Sequence, residues 1–376
     1  MEDGKKPRIL LVADYSNFHA TLAKGLRNLG CDVTLVSDGG TFMNCERDVD
    51  ISRRFNGKIG GFLHTARLLT NILPKLRGYD IVSFRDPQFL NLRPQRIKWF
   101  LNYIVRNNKA CFQSYLTTDL KFLDMLEAPD SPLRYSEWFV DGEPNRLRLQ
   151  EEWRWKAWHA REMAELTELF YRKMRGAVTA LYEYQLAALR EYPAKNVAYG
   201  GIPVDTEAIE PQVIDTPRKV RIFLARDRRR QLEKGSDLLE IAAHNVVSRH
   251  SDKAEFVMVE NVSRDYYLES MRSSHILLDQ IYSYTPATMA LEAMASGLTV
   301  VSGAEPEFYE FIGEKENFPV INAPFDLEQI EKTVEKLVLH PESLRERGLR
   351  GREFVLKHNN MDVVARRFLN FWMKNV

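Results

Sequence analysis

Strand-sized apolar runs alternate with helical patterns along most of the chain. The first half reads RILLVAD, a helix near FHATLAKGLRNLG, then CDVTLVS; after a polar stretch come YDIVSFR, a helix near PQRIKWFLNYIVR, and ACFQSYL. The second half repeats the alternation with KVRIFLAR, SDLLEIAAHNVVSRH, AEFVMVE, DYYLESMRSS, HILLD and LTVVSG. Continuous apolar runs suit strands covered on both faces, so the pattern predicts an α/β protein with two doubly wound parallel sheets. GGIPVDTEAIEPQVIDTPRK, residues 200–219, is rich in Pro and Gly and has no periodicity, which predicts the joint there. NRLRLQEEWRWKAWHAREMAELTELFYRKMRG reads as one long helix, and MDVVARRFLNFWMKNV as a closing helix.

Composition narrows the classes. A chain of 376 residues can bury two cores, and a formal net charge of +1 argues against nucleic acid as the main partner. Three cysteines, Cys31, Cys45 and Cys111, make neither a disulfide framework nor a common zinc pattern, and fit a reducing cytoplasm. The amino terminus runs into a strand without the apolar stretch of a signal peptide, and no run is long enough to span a bilayer.

Several chemistries can be weighed from the residues. The turn after the first strand, ADYSNFHA, has no glycine, which argues against a nicotinamide dinucleotide site. Asp48 and Asp50 read as a solvated turn rather than a metal site, and Asn261 in NVS is set aside as a glycosylation acceptor. ARDRRRQLEKGSDLL places Arg226, Arg228, Arg229, Arg230 and Lys234 between a strand and a helix. This is either an exposed basic loop or an anion site, because α/β sheets hold ligands at the carboxyl ends of their strands. YTPATMALEAMASG predicts a helix with Thr285 as cap, Pro286 in the first turn and Gly297 at its end. Its free N–H groups at Thr285, Pro286, Ala287 and Thr288 would form a second anion site, less the proline. Glu292 inside it either accepts hydrogen bonds from two ribose hydroxyls or pairs with a structural arginine. Trp153, Trp155 and Trp158 read better as packing than as a sugar or lipid contact. His19 stands just after the first strand, where a lone histidine is more often structural.

HILLDQIYSYTPATMALEAMASGLTVVSG resembles the donor-site segment of the retaining glycosyltransferases of family 4, which have the GT-B fold. The likeness extends to EKGSDLL, GGIPVDTEAI, GREFVLKHNN and, more loosely, YDIVSFRDP. It implies two Rossmann-like domains facing across a cleft: an acceptor domain, 1–203, and a donor domain, 204–359. The closing helix, about 360–376, would pack back on the first. Carried over, Lys234 and Arg226 stabilise the leaving diphosphate, with Arg229 as a further possibility. Glu292 binds ribose, and Tyr284 through Thr288 together with Asp279 line the donor site. His19 and Asp119 fall on the acceptor side. Two departures stand out: Tyr284 replaces the family's first acid, and Leu116 in LTTD stands where the amino domain often has a histidine. The resemblance implies a metal-independent transferase without a cofactor, using a nucleoside-diphosphate sugar. The acceptor would be a glycan, a lipid-linked sugar or a small molecule, and the reading leaves room for peripheral membrane contact through the amino domain. The rival readings are a nucleotide-sugar epimerase and a degenerate nucleotide-binding protein.

Overall fold

The computed structural model describes residues 6–40, 44–212 and 216–376. The chain forms two compact units, Met1–Met125 with Trp153–Pro203 and Met361–Val376, and Leu126–Glu152 with Val204–Asn360. The break at 203/204 lies inside the expected joint, of which residues 213–215 fall outside the described residues. Segment 126–152, expected in the first domain, clusters with the second unit.

The first unit holds a seven-stranded sheet in the order Val49–Asp50, Asp32–Ser37, Arg8–Val12, Ile81–Phe84, Ala110–Tyr115, Ala177–Thr179, Val197–Tyr199. Every pairing in it is parallel. Strand order reverses between Arg8–Val12 and Ile81–Phe84, which creates a crevice beyond their carboxyl ends. Parallel strands need a covering layer on each face, and Ile9, Leu10 and Leu11 are accordingly all buried.

The second unit holds five parallel strands in the order Ala254–Glu260, Val220–Arg226, Ile276–Leu278, Thr299–Ser302, Ile321–Asn322. Its core joins Ile222, Leu224, Ile276 and Leu278 from the strands to Leu239, Ala243 and Val334 from helices Ser236–Arg249 and Leu327–Leu339.

The expected helix over 145–176 is three: Arg146–Gln150, Glu152–His159 and Arg161–Lys173. Glu151 and Ala160 leave helical geometry, and the chain passes from one unit to the other at 152/153. Trp155 is buried and stacks on His159, while Trp153 is exposed.

The closing helix Met361–Asn375 lies against Phe18–Asn28 in the first unit. Gly25 makes this approach possible: a Cβ there would stand 2.6 Å from the Met361 carbonyl oxygen and 2.9 Å from Ala365 Cβ. Gly25→Ala should therefore overpack the contact and destabilise the first unit by about 1–3 kcal/mol. A thermal unfolding curve unchanged by this substitution would show that the helix pair is looser than described.

Candidate functional site

The carboxyl edge of the second sheet gathers most of the expected donor residues. Lys234 ends a short helix, Gln231–Lys234, and Gly235 (φ +66°) turns the chain into Ser236–Arg249. The turn must be glycine for a second reason, since a Cβ would lie 2.4 Å from Ile281 Cγ1. Lys234 Nζ donates to Asp279 Oδ1 at 2.9 Å, and Ser302 Oγ donates to Asp279 Oδ2 at 3.2 Å. Asp279 is fully buried and its partner lysine is mostly covered. Asp279 thus orients Lys234 instead of facing a ligand.

Arg226 is placed differently from what the resemblance implies. Its guanidinium is bound by Glu260, at 2.8 Å and 3.0 Å, and by Glu240, and its side chain is only 9% exposed. The other loop arginines have acidic partners too. Asp227 holds Arg229 at 2.8 Å, Glu233 holds Arg230, and Glu260 also reaches Arg228 at 3.3 Å. Arg229 remains largely solvent-exposed beside its partner.

The helix with Glu292 starts later than expected. It spans Thr288–Ala295, preceded by Ala287 in extended geometry, so Thr285 is not its cap and Pro286 is not in its first turn. The residue before a proline is driven to extended backbone, and Ser283 Oγ holds the Thr285 carbonyl at 3.0 Å. The segment is pressed further by Gly303, where a Cβ would fall 2.0 Å from the Ser283 oxygen. The first intrahelical bond runs from Leu291 N to Ala287 O, so the N–H groups of Thr288, Met289 and Ala290 precede it. At the other end Gly297 (φ +90°) terminates the helix as expected, with Leu298 N donating to Ala293 O.

Glu292 is buried about 6 Å along the axis from Thr288. Arg264 Nη2 donates to Glu292 Oε1 at 2.7 Å and Tyr267 OH to Oε2 at 3.4 Å. Of the two sequence alternatives, the arginine pair is the one present. Tyr284 is also buried. Its hydroxyl accepts from Arg134 N at 2.8 Å, and its ring stacks on Tyr135 at 4.6 Å. Arg134 and Tyr135 both reach Glu305, at 2.8 Å and 2.6 Å, and Asn322 Nδ2 donates to the same carboxylate at 2.6 Å. These side chains line a pocket of about 460 Å³ together with Phe325 and Gln329. Sequence reading missed Arg264, Arg134 and Glu305. Arg264 could have been found, three residues before Tyr267 at the start of an expected helix; Arg134 could not, because its segment was assigned to the other unit.

In the first unit, His19 and its neighbours stand at the crevice where strand order reverses. His19 Nδ1 lies 2.5 Å from the Ala13 carbonyl oxygen, so that nitrogen carries the proton. Burial lowers its pKa to about 4, leaving the ring neutral at pH 7. Asp14 accepts from the N–H groups of Tyr15 and His19, at 2.6 Å and 2.8 Å, and Arg85 binds Asp86 at 2.6 Å. Ala13, Ser16 and Asn17 all have positive φ, an uncommon backbone for residues with a Cβ.

Asp119, expected on the acceptor side, is buried instead. It accepts from Tyr115 OH at 2.5 Å, Tyr171 OH at 2.7 Å and Phe122 N at 3.1 Å. Its role is to start helix Leu120–Glu127 and to satisfy buried tyrosines. Leu116 nearby is buried as well.

Residues 218–370 match the family model described as glycosyl transferase-like. No curated protein matches the chain in sequence. Solved structures resemble it over nearly its whole length. WaaG, a glycosyltransferase involved in lipopolysaccharide biosynthesis, is 12% identical with a TM-score of 0.57 over 96% of this chain and 98% of that one. Anabaena Alr3699/HepE in complex with UDP-glucose is 10% identical, with a TM-score of 0.60 over 98% and 100%. UDP-GlcNAc 2-epimerase from Neisseria meningitidis, bound to UDP-GlcNAc, is 13% identical, with a TM-score of 0.55 over 98% and 100%.

Two substitutions test these assignments. Glu292→Gln should lower the stability of the ligand-free protein by about 1.5–3 kcal/mol, because Arg264 loses a charged partner. Melting curves without ligand decide this; an unchanged midpoint would mean that the pair contributes nothing. For Asp119, burial raises the pKa from 3.8 to about 6. The folded state then holds a proton that the unfolded state releases as pH rises from about 4 to 6, so this group costs stability on the order of 3 kcal/mol across that window. Asp119→Asn should flatten the fall in melting temperature between pH 4 and pH 7. An identical pH profile would refute the shifted carboxyl.

The chain has the GT-B fold, and its second half carries a glycosyl transferase-like domain; together these support a glycosyltransferase.

Proposed function

We propose that the protein is a retaining glycosyltransferase that moves a sugar from a nucleoside-diphosphate sugar to a glycan or lipid-linked acceptor in the cytoplasm, without a metal. The observation that carries this reading is Lys234. Its ammonium group stands at the carboxyl edge of a parallel sheet, oriented by a fully buried aspartate, within a glycosyl transferase-like domain. A diphosphate bound there would meet Lys234, and the N–H groups at the start of Thr288–Ala295 are the second donor set on the same edge. Arg229, exposed on its loop, is the arginine best able to turn toward phosphate.

In front-face transfer the bond between the anomeric carbon and the diphosphate oxygen breaks while the acceptor oxygen bonds the same carbon. The acceptor proton passes to the leaving diphosphate. The protein's part is to position both substrates and to stabilise the departing negative charge. A side-chain base is not required, so Leu116 in place of a histidine does not forbid the reaction. The epimerase among the structural neighbours shares the fold, and a panel of sugar nucleotides with product analysis separates transfer from epimerisation.

UDP, GDP or ADP at millimolar concentration should raise the melting temperature by mass action. Lys234→Ala should weaken the preferred nucleoside diphosphate roughly ten- to a hundredfold in calorimetric titration, and the bare nucleoside far less. Equal weakening of both ligands would make Lys234 a structural residue only.

A further inference from the structure

The pocket beside Glu305 has no part in the chemistry at Lys234. Segment Leu126–Glu152 belongs to the second unit and supplies one wall, with Arg134, Tyr135 and Asp141. The opposite side is Glu305 and the residues that lead into helix Leu327–Leu339. It lies beyond the carboxyl ends of Thr299–Ser302 and Ile321–Asn322, and none of Lys234, Asp279, Tyr284, Thr288 and Glu292 lines it. Ile321–Asn322 is two strands from Ile276–Leu278, about 10 Å across the sheet.

The wall from Leu126–Glu152 has a fixed form. Phe139–Val140 pairs antiparallel with Glu143–Pro144, and Asp141 and Gly142, with φ of +50° and +82°, make the two-residue turn. Asp141 N donates to the Arg134 carbonyl oxygen at 2.7 Å, which holds the turn against the start of the wall. The floor is aromatic. Tyr135 and Phe325 meet edge to face at 4.4 Å, and each is backed by a further ring, Tyr284 at 4.6 Å and Tyr282 at 5.5 Å.

The polar groups divide into spent and available. Glu305 already accepts from Arg134, Tyr135 and Asn322. Asp326 Oδ1 caps its helix by accepting from Gln329 N at 3.0 Å. Arg134 Nη1, the Asp141 carboxylate, Asp326 Oδ2 and the Gln329 side-chain amide line the same pocket and make no hydrogen bond within the protein among the described residues. Three carboxylates against one guanidinium disfavour a phosphate, and the guanidinium disfavours a bare cation. Donors and acceptors together over an aromatic floor suit a ring that carries hydroxyls on its rim and C–H groups on its face. A volume of about 460 Å³ lies within the range of small-molecule sites.

We propose that this pocket is a subsite for an uncharged pyranose, a non-reacting sugar unit of the glycan acceptor. Its hydroxyls donate to Asp141 and Asp326 and accept from Arg134 and Gln329, and its C–H face lies on Tyr135 and Phe325. The use as an acceptor subsite rests on the transferase reading; the binding of sugar does not.

Ligand-observed NMR on the full chain tests the subsite without nucleotide or turnover, with the methyl glycosides of glucose, galactose, mannose and N-acetylglucosamine as probes. At least one glycoside should bind with a millimolar dissociation constant. Asp141→Asn with Asp326→Asn should weaken it at least roughly tenfold, because two charged acceptors are lost while asparagine still suits the turn and the helix cap. Gln329→Ala, at an exposed helix position, should weaken it less, and neither variant should move the melting temperature. A saturating nucleoside diphosphate and its sugar nucleotide should both leave the glycoside bound. No glycoside bound at about 50 mM, or binding that survives both variants, would overturn the proposal. Glucosamine held more tightly than N-acetylglucosamine would overturn it in favour of an amine site. Displacement by the sugar nucleotide would do so in favour of the donor's own sugar. A chain that binds a glycoside but no nucleotide would overturn the transferase reading alone and still support the sugar site.

Discussion

A carboxylate removed from water at the end of a parallel strand has to find a cation or lose its charge. Asp279 meets this requirement with Lys234, and the arrangement of the second unit's ligand edge follows from it. The pair ties the loop after Val220–Arg226 to the end of Ile276–Leu278, and the Ser302 hydroxyl adds the neighbouring strand. Ile281 N donates to the Lys234 carbonyl at 3.0 Å, so the backbones are joined as well. Three connections that could have moved separately are held as one. A side chain fixed in this way loses little further freedom when it meets an anion, which favours binding by preorganisation.

Around that pair, charge is balanced locally. Every cation of the Arg226–Lys234 loop has an acidic neighbour, and two of those acids, Asp227 and Glu233, belong to the loop itself. The most buried, Arg226, is shared by two carboxylates from different elements and works as a brace for the strand end. Neutralised in place, the loop does not present a strong positive field. Attraction for an anionic ligand would then arise from a few oriented groups at short range, a design that favours shape over bulk charge.

The α/β class, the parallel strands and their approximate limits could be read from the sequence, because runs such as RILLVAD and TVVS are apolar on both faces. Lys234 at the edge of the second sheet could be read for the same reason, since strand, turn and helix signals bracket it. Side-chain partnership could not. The arginine-rich loop contains Asp227 and Glu233 in plain view, yet their pairing depends on how a short helical turn winds. The late start of Thr288–Ala295 was hidden by Pro286, which suits a first helical turn but equally holds Thr285 extended. Tyr284 falls at a ligand position by resemblance alone; its partner Arg134 lies 150 residues away, in a segment whose unit no local pattern betrays.

The chain passes between the two units four times, at 125/126, 152/153, 203/204 and 360/361. This connectivity sets an order on synthesis. A chain emerging from the ribosome exposes most of the first unit early, but the helix that covers Phe18–Asn28, Met361–Asn375, follows every segment of the second unit. The apolar side of Phe18–Asn28, with Phe18, Leu22 and Leu26, therefore waits uncovered until Met361–Asn375 has been made. The second unit has all of its segments by residue 360 and can close first. Of the two units, the one begun earlier is completed later, and during that interval it is the one more exposed to aggregation and more in need of a chaperone.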